Sequence, residues 1–427
     1  MKKVEPSPLP RPASSAFEPV SPIQHLAASP RVRTQTWIGY FVLLAVVAVP
    51  YPIGQLLPLP VAIALATFIY LIGISFSAVG GAFSRPLLLS LLGGPALWAV
   101  ALLMQQVLGL SAFGGAFLYF FVVPLGILAG IETARNGLVP SFLSAFRITA
   151  AILALLATIE FAMRRSAFGY ETFLQNDVIR ATAGQFHPII LGVILTAAIG
   201  ASAELVSRRL KVALIALLFI GIVTTGSLGP IVVGAVIAVF AIFPGIRKTS
   251  RWTTLAVAAF ALAGGFLSTT VWSTDISGGT VDEYSSGYRT AVYALLPNIL
   301  RSAPFGYGPS GLPPGSWLIY SQYLGIRDVS VTVDAEPVLL AAEWGFLGLI
   351  AFSIVLWVSG RALYRGFAAL SLTLVGLTLN GLTVALHAWL NLSIFWMILI
   401  GMAVWAVFQA RHSEPVSASP STVLDRS

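Results

Sequence analysis

One long polar interruption, Trp272 to Glu336, divides a sequence that is otherwise a succession of apolar runs. A helix needs about 20 apolar residues to span the hydrocarbon core of a bilayer, and nearly every other segment is such a run or the short turn between two. Chemistry at a membrane surface is therefore expected in or beneath that loop. Its two ends carry the polar clusters that look placed for a purpose: SSGYR, ending at Arg289, and TVDAEPVLLAAEWGFLG, from Thr332 to Gly348.

Composition fixes the class. The 427 residues are 57% hydrophobic and 9% charged, with a mean hydropathy of +0.89, and a soluble core cannot hide that much apolar surface. The expectation is an all-α polytopic membrane protein with about twelve transmembrane helices. The apolar runs place them at Trp37–Leu57, Pro60–Val79, Leu87–Leu108, Ala116–Ile131, Phe142–Phe161, Pro188–Ala203, Val212–Thr224, Leu228–Phe243, Thr253–Val271, Pro337–Val358, Ala368–Leu386 and Trp389–Phe408. Pro50 and Pro52 are expected to break the first, and Pro124 to kink the fourth. The short pair Val212–Thr224 and Leu228–Phe243 also fits one re-entrant hairpin.

The expected organisation is a disordered cytoplasmic tail over 1–35, nine spans within 36–271, a large periplasmic loop over 272–336, three spans within 337–410 and a second tail over 411–427. Both tails are rich in Pro, Ser and Ala and cannot bury a core. Inside the loop Val292, Leu295, Leu296, Ile299 and Leu300 recur at helical spacing. That pattern predicts an amphipathic helix lying on the membrane surface, with Arg289 in its first turn and Pro297 bending or ending it.

Charge sets an orientation. Arg135, Arg208, Arg209, Lys211, Arg361 and Arg365 all fall in connections that a cytoplasmic amino terminus places inside, which predicts both termini in the cytoplasm and the long loop outside. The net charge of +8 then belongs to the cytoplasmic surface and implies no nucleic-acid partner. The absence of cysteine excludes disulfides and thiolate chemistry. The four histidines have no metal-ligand spacing.

RATAGQFHP (Arg180 to Pro188), SGYR, APFGYGPSG (Ala303 to Gly311) and a short polar motif followed by AEWGFLG, in that order around one outer loop, resemble the O-antigen ligase and O-antigen polymerase superfamily of bacterial glycan enzymes. The resemblance runs by motif from Arg180 to Gly348. It implies a GT-C-like helical bundle in the bacterial inner membrane. It also implies glycan transfer from an undecaprenyl pyrophosphate carrier at the periplasmic face, with no metal ion and no cofactor. The implied partners are that lipid-linked glycan and membrane lipid, with a flippase and a chain-length regulator alongside. Two positions depart from the family pattern. Ligases carry His-Asn nine residues before a Glu-x-Gly, whereas the same count back from Glu343 gives Asp334 and Ala335; an aspartate there resembles the polymerases. A Ser-Arg-Gly frequent in the family is replaced by Thr225-Gly226-Ser227-Leu228-Gly229.

The chemistry of glycosyl transfer assigns tasks to these residues. Arg180 and Arg289 are the candidates for binding the pyrophosphate as its charge develops. Asp334 and Glu336 are the catalytic candidates, for removing or orienting the acceptor hydroxyl proton. His187 and Glu343 are candidate substrate contacts. Each has a plainer alternative. Interfacial arginines also anchor in headgroups, Asp334 also caps a helix that starts near Pro337, and Glu336 also complements that helix's dipole. Glu343 and His187 also serve as structural hydrogen-bond partners, and His387 falls in a tight outer hairpin. The expected function is polymerisation of repeat units of an exopolysaccharide or O-antigen, with the ligase as its neighbour. A transporter or flippase is the alternative from another class, disfavoured because the ionisable groups gather at the outer surface.

Overall fold

The structure, a computed structural model, describes residues 30–77, 121–168, 173–175, 178–243, 282–309, 311–321, 325–331 and 333–409. The expected spans Leu87–Leu108 and Thr253–Val271, the first tail before residue 30 and the whole of the second tail lie outside these residues. Helix α1 (Pro30–Ala48) already includes 30–35, which were expected to be tail.

Helices α1 and α2 (Pro50–Leu56) meet at 95°. Pro50 and Pro52 have no amide hydrogen to continue the ladder, so the expected break occurs at Val49. After α3 (Leu59–Ser77) and α4 (Val123–Arg135) comes α5 (Val139–Met163). Pro124 is the second residue of α4, which follows directly on the π-helical residues 121 and 122, and residues 116–120 of that expected span lie outside the described ones. A hairpin of β1 (Phe173–Gln175) and β2 (Val178–Arg180), with Phe173 opposite Arg180, leads into α6 (Pro188–Ala201). Helices α7 (Arg208–Thr224) and α8 (Leu228–Ile242) then form two separate elements.

Every residue of α6 except Ile189 is buried, which makes it the centre of the bundle. Small residues let backbones touch around it. A Cβ at Gly130 of α4 would lie 2.0 Å from the Ile398 carbonyl, and one at Gly401 would lie 2.0 Å from the Ile127 carbonyl, so these two helices pack backbone to backbone.

The expected span Pro337–Val358 is in fact two helices, α11 (Glu336–Trp344) and α12 (Phe346–Tyr364), divided at Gly345. That glycine has φ +59°, and a Cβ on it would sit 1.9 Å from the Pro304 carbonyl. Glycine alone fits there. Helices α13 (Ala368–Asn380) and α14 (Leu390–Gln409) complete the bundle.

Among the described residues three helices are long and apolar enough to cross a membrane, Val139–Met163, Phe346–Tyr364 and Leu390–Phe408, or four if the bent pair α1–α2 counts as one. The expected number of spans is therefore not reached among these residues; the Gly345 break and several shorter apolar helices account for part of the difference. Exposed side chains reinforce the membrane character. Ile148, Ile152, Leu155 and Ile159 form an exposed stripe on α5, as do Leu347, Ile350, Ile354 and Trp357 on α12. Apolar faces of this extent are stable against lipid, not water.

The long loop folds on itself. Helices α9 (Asp282–Ala294) and α10 (Leu296–Ser302) divide at Leu295, with Pro297 in the first turn of α10. Val292 and Ile299 are buried with Leu312, Ile319, Val329, Val333, Ala335, Val338 and Ala342 in a second core. This corrects the surface-helix expectation: the apolar face turns toward the loop's own core and α11, because those partners bury it from water more completely. A hairpin of β3 (Leu318–Ser321) and β4 (Gly325–Asp328) completes the loop.

The bundle has two chemically different ends. At one, Arg147 Nη1 donates to the Ala201 carbonyl (3.0 Å), Lys211 Nζ to the Ala203 carbonyl (2.8 Å), and Glu204 accepts from the Ala369 amide (2.9 Å) that opens α13. At the other end meet the break after α1, the last turn of α5, the start of α6, the α7–α8 turn, the start of α11 and the α13–α14 turn.

Candidate functional site

Arg180 ends strand β2 and enters the turn between α7 and α8. Its Nε donates to the Thr225 carbonyl (2.8 Å) and its Nη2 to Ser227 Oγ (2.8 Å). Gly226, at φ +59°, passes close beneath the guanidinium, where a Cβ would come 3.4 Å from Nε. The Ala181 amide bonds the Thr224 carbonyl (3.0 Å), so backbone and side chain fix the arginine together. The segment Thr225 to Gly229 is thus the cradle of Arg180.

The loop after Arg180 is held from below by Glu160, in the last turn of α5. Its Oε2 accepts from the amides of Thr182 (3.0 Å) and Ala183 (2.8 Å), and Oε1 from that of Ala167 (2.9 Å). A buried carboxylate is tolerated here because backbone donors replace its water. Gln185 then donates to the Val47 carbonyl (2.9 Å) and to that of Ala48, and Asn391 Nδ2 donates to Val47 (3.1 Å) and to Gln185 Oε1 (3.1 Å). These amides satisfy carbonyls left open where α1 breaks.

His187 caps α6. Its Nδ1 accepts from the Ile189 amide (3.2 Å), which places the ring proton on Nε2. Burial, with Arg180 and Arg289 nearby, lowers its pKa to about 4, so the imidazole is neutral near pH 7. Its ring lies 6.4 Å, centre to centre, from Trp389.

The other side of the site is a buried cluster. His387, in the α13–α14 turn, bonds Glu336 Oε1 through Nδ1 (2.6 Å) and Glu343 Oε2 through Nε2 (3.0 Å). Its backbone amide donates to Glu336 Oε2 (3.2 Å), and the Glu336 amide donates to the Gly381 carbonyl (2.7 Å). Burial alone would favour the neutral ring, but the two carboxylates outweigh it and raise the pKa to about 10. The imidazolium donates on both sides and presents no lone pair to a metal. Among the described residues no group of three or more His, Asp or Glu is arranged to hold a metal ion.

The APFGYG and AEWG motifs meet here. The amides of Tyr307 and Gly308 donate to the carbonyls of Ala342 (2.7 Å) and Glu343 (3.0 Å), and Phe346 N–H donates to Pro304 (2.9 Å). Tyr293 of α9 ties the loop down by donating to the Leu382 carbonyl (2.7 Å). Burial raises its pKa, with Arg289 opposing and Glu336 adding to the effect.

Asp334 does not cap α11. The N-cap is Ala335, with no side-chain cap bond. The Asp334 side chain is exposed, yet the surrounding protein desolvates its carboxyl enough to raise the pKa, with Arg289 pulling it down.

Arg180, His187, Arg289 and Asp334 are therefore electrostatic neighbours. Glu336 and Glu343 stand behind them, both bonded to His387. Sequence reasoning placed His387 in a hairpin but gave it no task, because its carboxylate partners are 51 and 44 residues away in the chain. Glu160 was missed too; an ionisable residue near the mouth of a span was the available signal. Compared with known proteins, the chain matches no family model and no curated protein.

Proposed function

We propose that this chain is a glycosyltransferase of the bacterial inner membrane that polymerises oligosaccharide repeat units carried on undecaprenyl pyrophosphate. The observation that carries the proposal is the grouping of two arginines and one exposed carboxylate at the end of the bundle opposite the basic connections. The acceptor hydroxyl attacks the anomeric carbon of the donor glycan, the bond to the pyrophosphate oxygen breaks, and lipid pyrophosphate leaves with the electron pair. Arg180 and Arg289 offset the charge that develops on it. Asp334 takes the hydroxyl proton, for which its raised pKa suits it. His187, uncharged, donates from Nε2 toward the substrate without competing for the anion.

Glu336 fits a supporting task better than a catalytic one. It is fully buried, and both of its oxygens accept from His387. The broken helices α1–α2 and α11–α12 beside a buried ionisable cluster also favour a second reading, a carrier for an anionic lipid-linked substrate. Expression of wild type and Asp334→Asn in a deletion strain separates these. The glycosyltransferase reading expects single repeat units to accumulate on the lipid carrier at the outer face in the variant. Accumulation at the inner face would favour a carrier, and full-length unattached chains would mark a ligase.

A further inference from the structure

We propose that His387 is a positioning residue for Asp334, acting as a two-sided hydrogen-bond donor that locks both ends of α11 to the α13–α14 turn. The proposal rests on the glycosyl-transfer reading and deepens it. Asp334 stands two residues before Glu336, and Glu336 is the anchor of that segment. Its carboxylate receives the His387 ring at 2.6 Å and the His387 amide at 3.2 Å, while its own amide reaches Gly381 at 2.7 Å. The three bonds hold the first turn of α11 against residues 381–387. A Cβ at Gly381 would come within 3.2 Å of the Glu336 Cβ, so nothing larger than glycine fits this contact without displacement.

The second ring nitrogen reaches Glu343 at 3.0 Å. Glu343 lies two residues before the Gly345 break, and its carbonyl accepts from Gly308 in the long loop. One imidazolium therefore fixes where α11 begins, where it ends, and how the loop lies over it. The same turn carries Thr383, whose Oγ1 would be 2.8 Å from a Cβ at Gly229 beside the Arg180 cradle. It also carries Trp389, beside His187. His387 thus couples the position of the carboxylate base to the half of the site that holds the arginines. A buried cation between two buried anions is a poor source of net stability, and a geometric task explains why the cluster is built this way.

The test compares purified wild type, His387→Gln and the double variant His387→Gln/Glu343→Gln. Thermal stability is measured, along with turnover and KM on a lipid-pyrophosphate oligosaccharide. His387→Gln leaves two buried carboxylates facing a neutral amide, and the melting temperature should fall by more than about 5 °C. The double variant removes one of those charges and should recover most of that stability. Its kcat should stay at least about tenfold below wild type with KM within about twofold, because a carboxamide donates from one atom and cannot hold both ends of α11. A double variant that regains kcat along with its stability would show that His387 only neutralises charge, and would overturn the proposal. A rise in KM at unchanged kcat would also overturn it. If wild type itself fails to turn over, the glycosyl-transfer reading falls and this proposal with it, an outcome distinct from an active wild type with an equally active double variant.

Discussion

The two halves of the site handle buried charge in opposite ways. Around Arg180 a carbonyl and a hydroxyl accept from the guanidinium, and the neighbouring His187 is held uncharged. Around His387 it supplies two carboxylates, and the ring is held protonated. A carbonyl and a hydroxyl bring no opposing charge of their own to a guanidinium, whereas carboxylates consume the field of the imidazolium locally. On the proposed function, one half acts on something outside the protein and the other holds the protein's own elements together. The same residue type, histidine, is pushed to opposite charge states within one site.

If that contrast is right, the halves respond differently to mutation. The largest effect belongs to His387→Ala, which abandons two buried carboxylates and should cost about 3–5 kcal/mol of stability, with loss of activity alongside; chemical or thermal denaturation of the purified protein reads it. Asp334→Asn should lower turnover by about 10²–10⁴-fold while leaving the melting temperature within a degree or two, since Asp334 is exposed and caps nothing. A matching loss of stability would move Asp334 into the structural half.

A pH experiment sharpens the comparison further. The pKa of His387 is raised from 6.5 to about 10, so its contribution to stability is complete below about pH 6.5 and is lost as pH climbs toward 10. Wild type should therefore melt progressively earlier across that window relative to His387→Gln. An unchanging difference between the two would place the ring outside the carboxylates' influence. The smallest effect is expected for His187→Asn. Asparagine accepts the Ile189 amide as the imidazole does, so stability should change by less than about 1 kcal/mol, and turnover should show whether Nε2 touches substrate.

Much of this architecture was readable in the sequence, in unequal measure. Among the described residues apolar run length marked most of the helical segments, and Pro50 and Pro52 located the break in the first, because proline's missing amide acts locally. Gly345 was hidden inside an apolar run, since its requirement comes from the Pro304 carbonyl, a contact made only after folding. The ordered motifs drew attention to Arg180, Arg289 and Asp334, and the structure brings them together. The partners of His387 and Glu160 were out of reach. Each is defined by groups distant in the chain, and a lone histidine or glutamate carries no periodic signal. A helix around Arg289 was legible, but it begins at Asp282, so Arg289 falls past its first turn rather than in it, and its apolar face was given to lipid because amphipathicity states that a face is buried and not against what.

Orientation decides which compartment the site faces. Single cysteines at the exposed positions Ser316 and Ser207 should react oppositely with a membrane-impermeant thiol reagent in intact cells, Ser316 labelled and Ser207 protected.

The most direct test of the central claim, that the arginine half acts on a lipid pyrophosphate while Asp334 activates the acceptor, is glycan extension in proteoliposomes. Purified protein is supplied with undecaprenyl pyrophosphate bearing one repeat unit, and the products are resolved by length. Wild type should yield a ladder of polymers. Arg180→Lys and Arg289→Lys should each lose about 10²-fold or more, because an ammonium cannot reproduce the planar fork on two phosphate oxygens. Unchanged glycan length with wild type, or full activity in Arg289→Lys, would contradict the account.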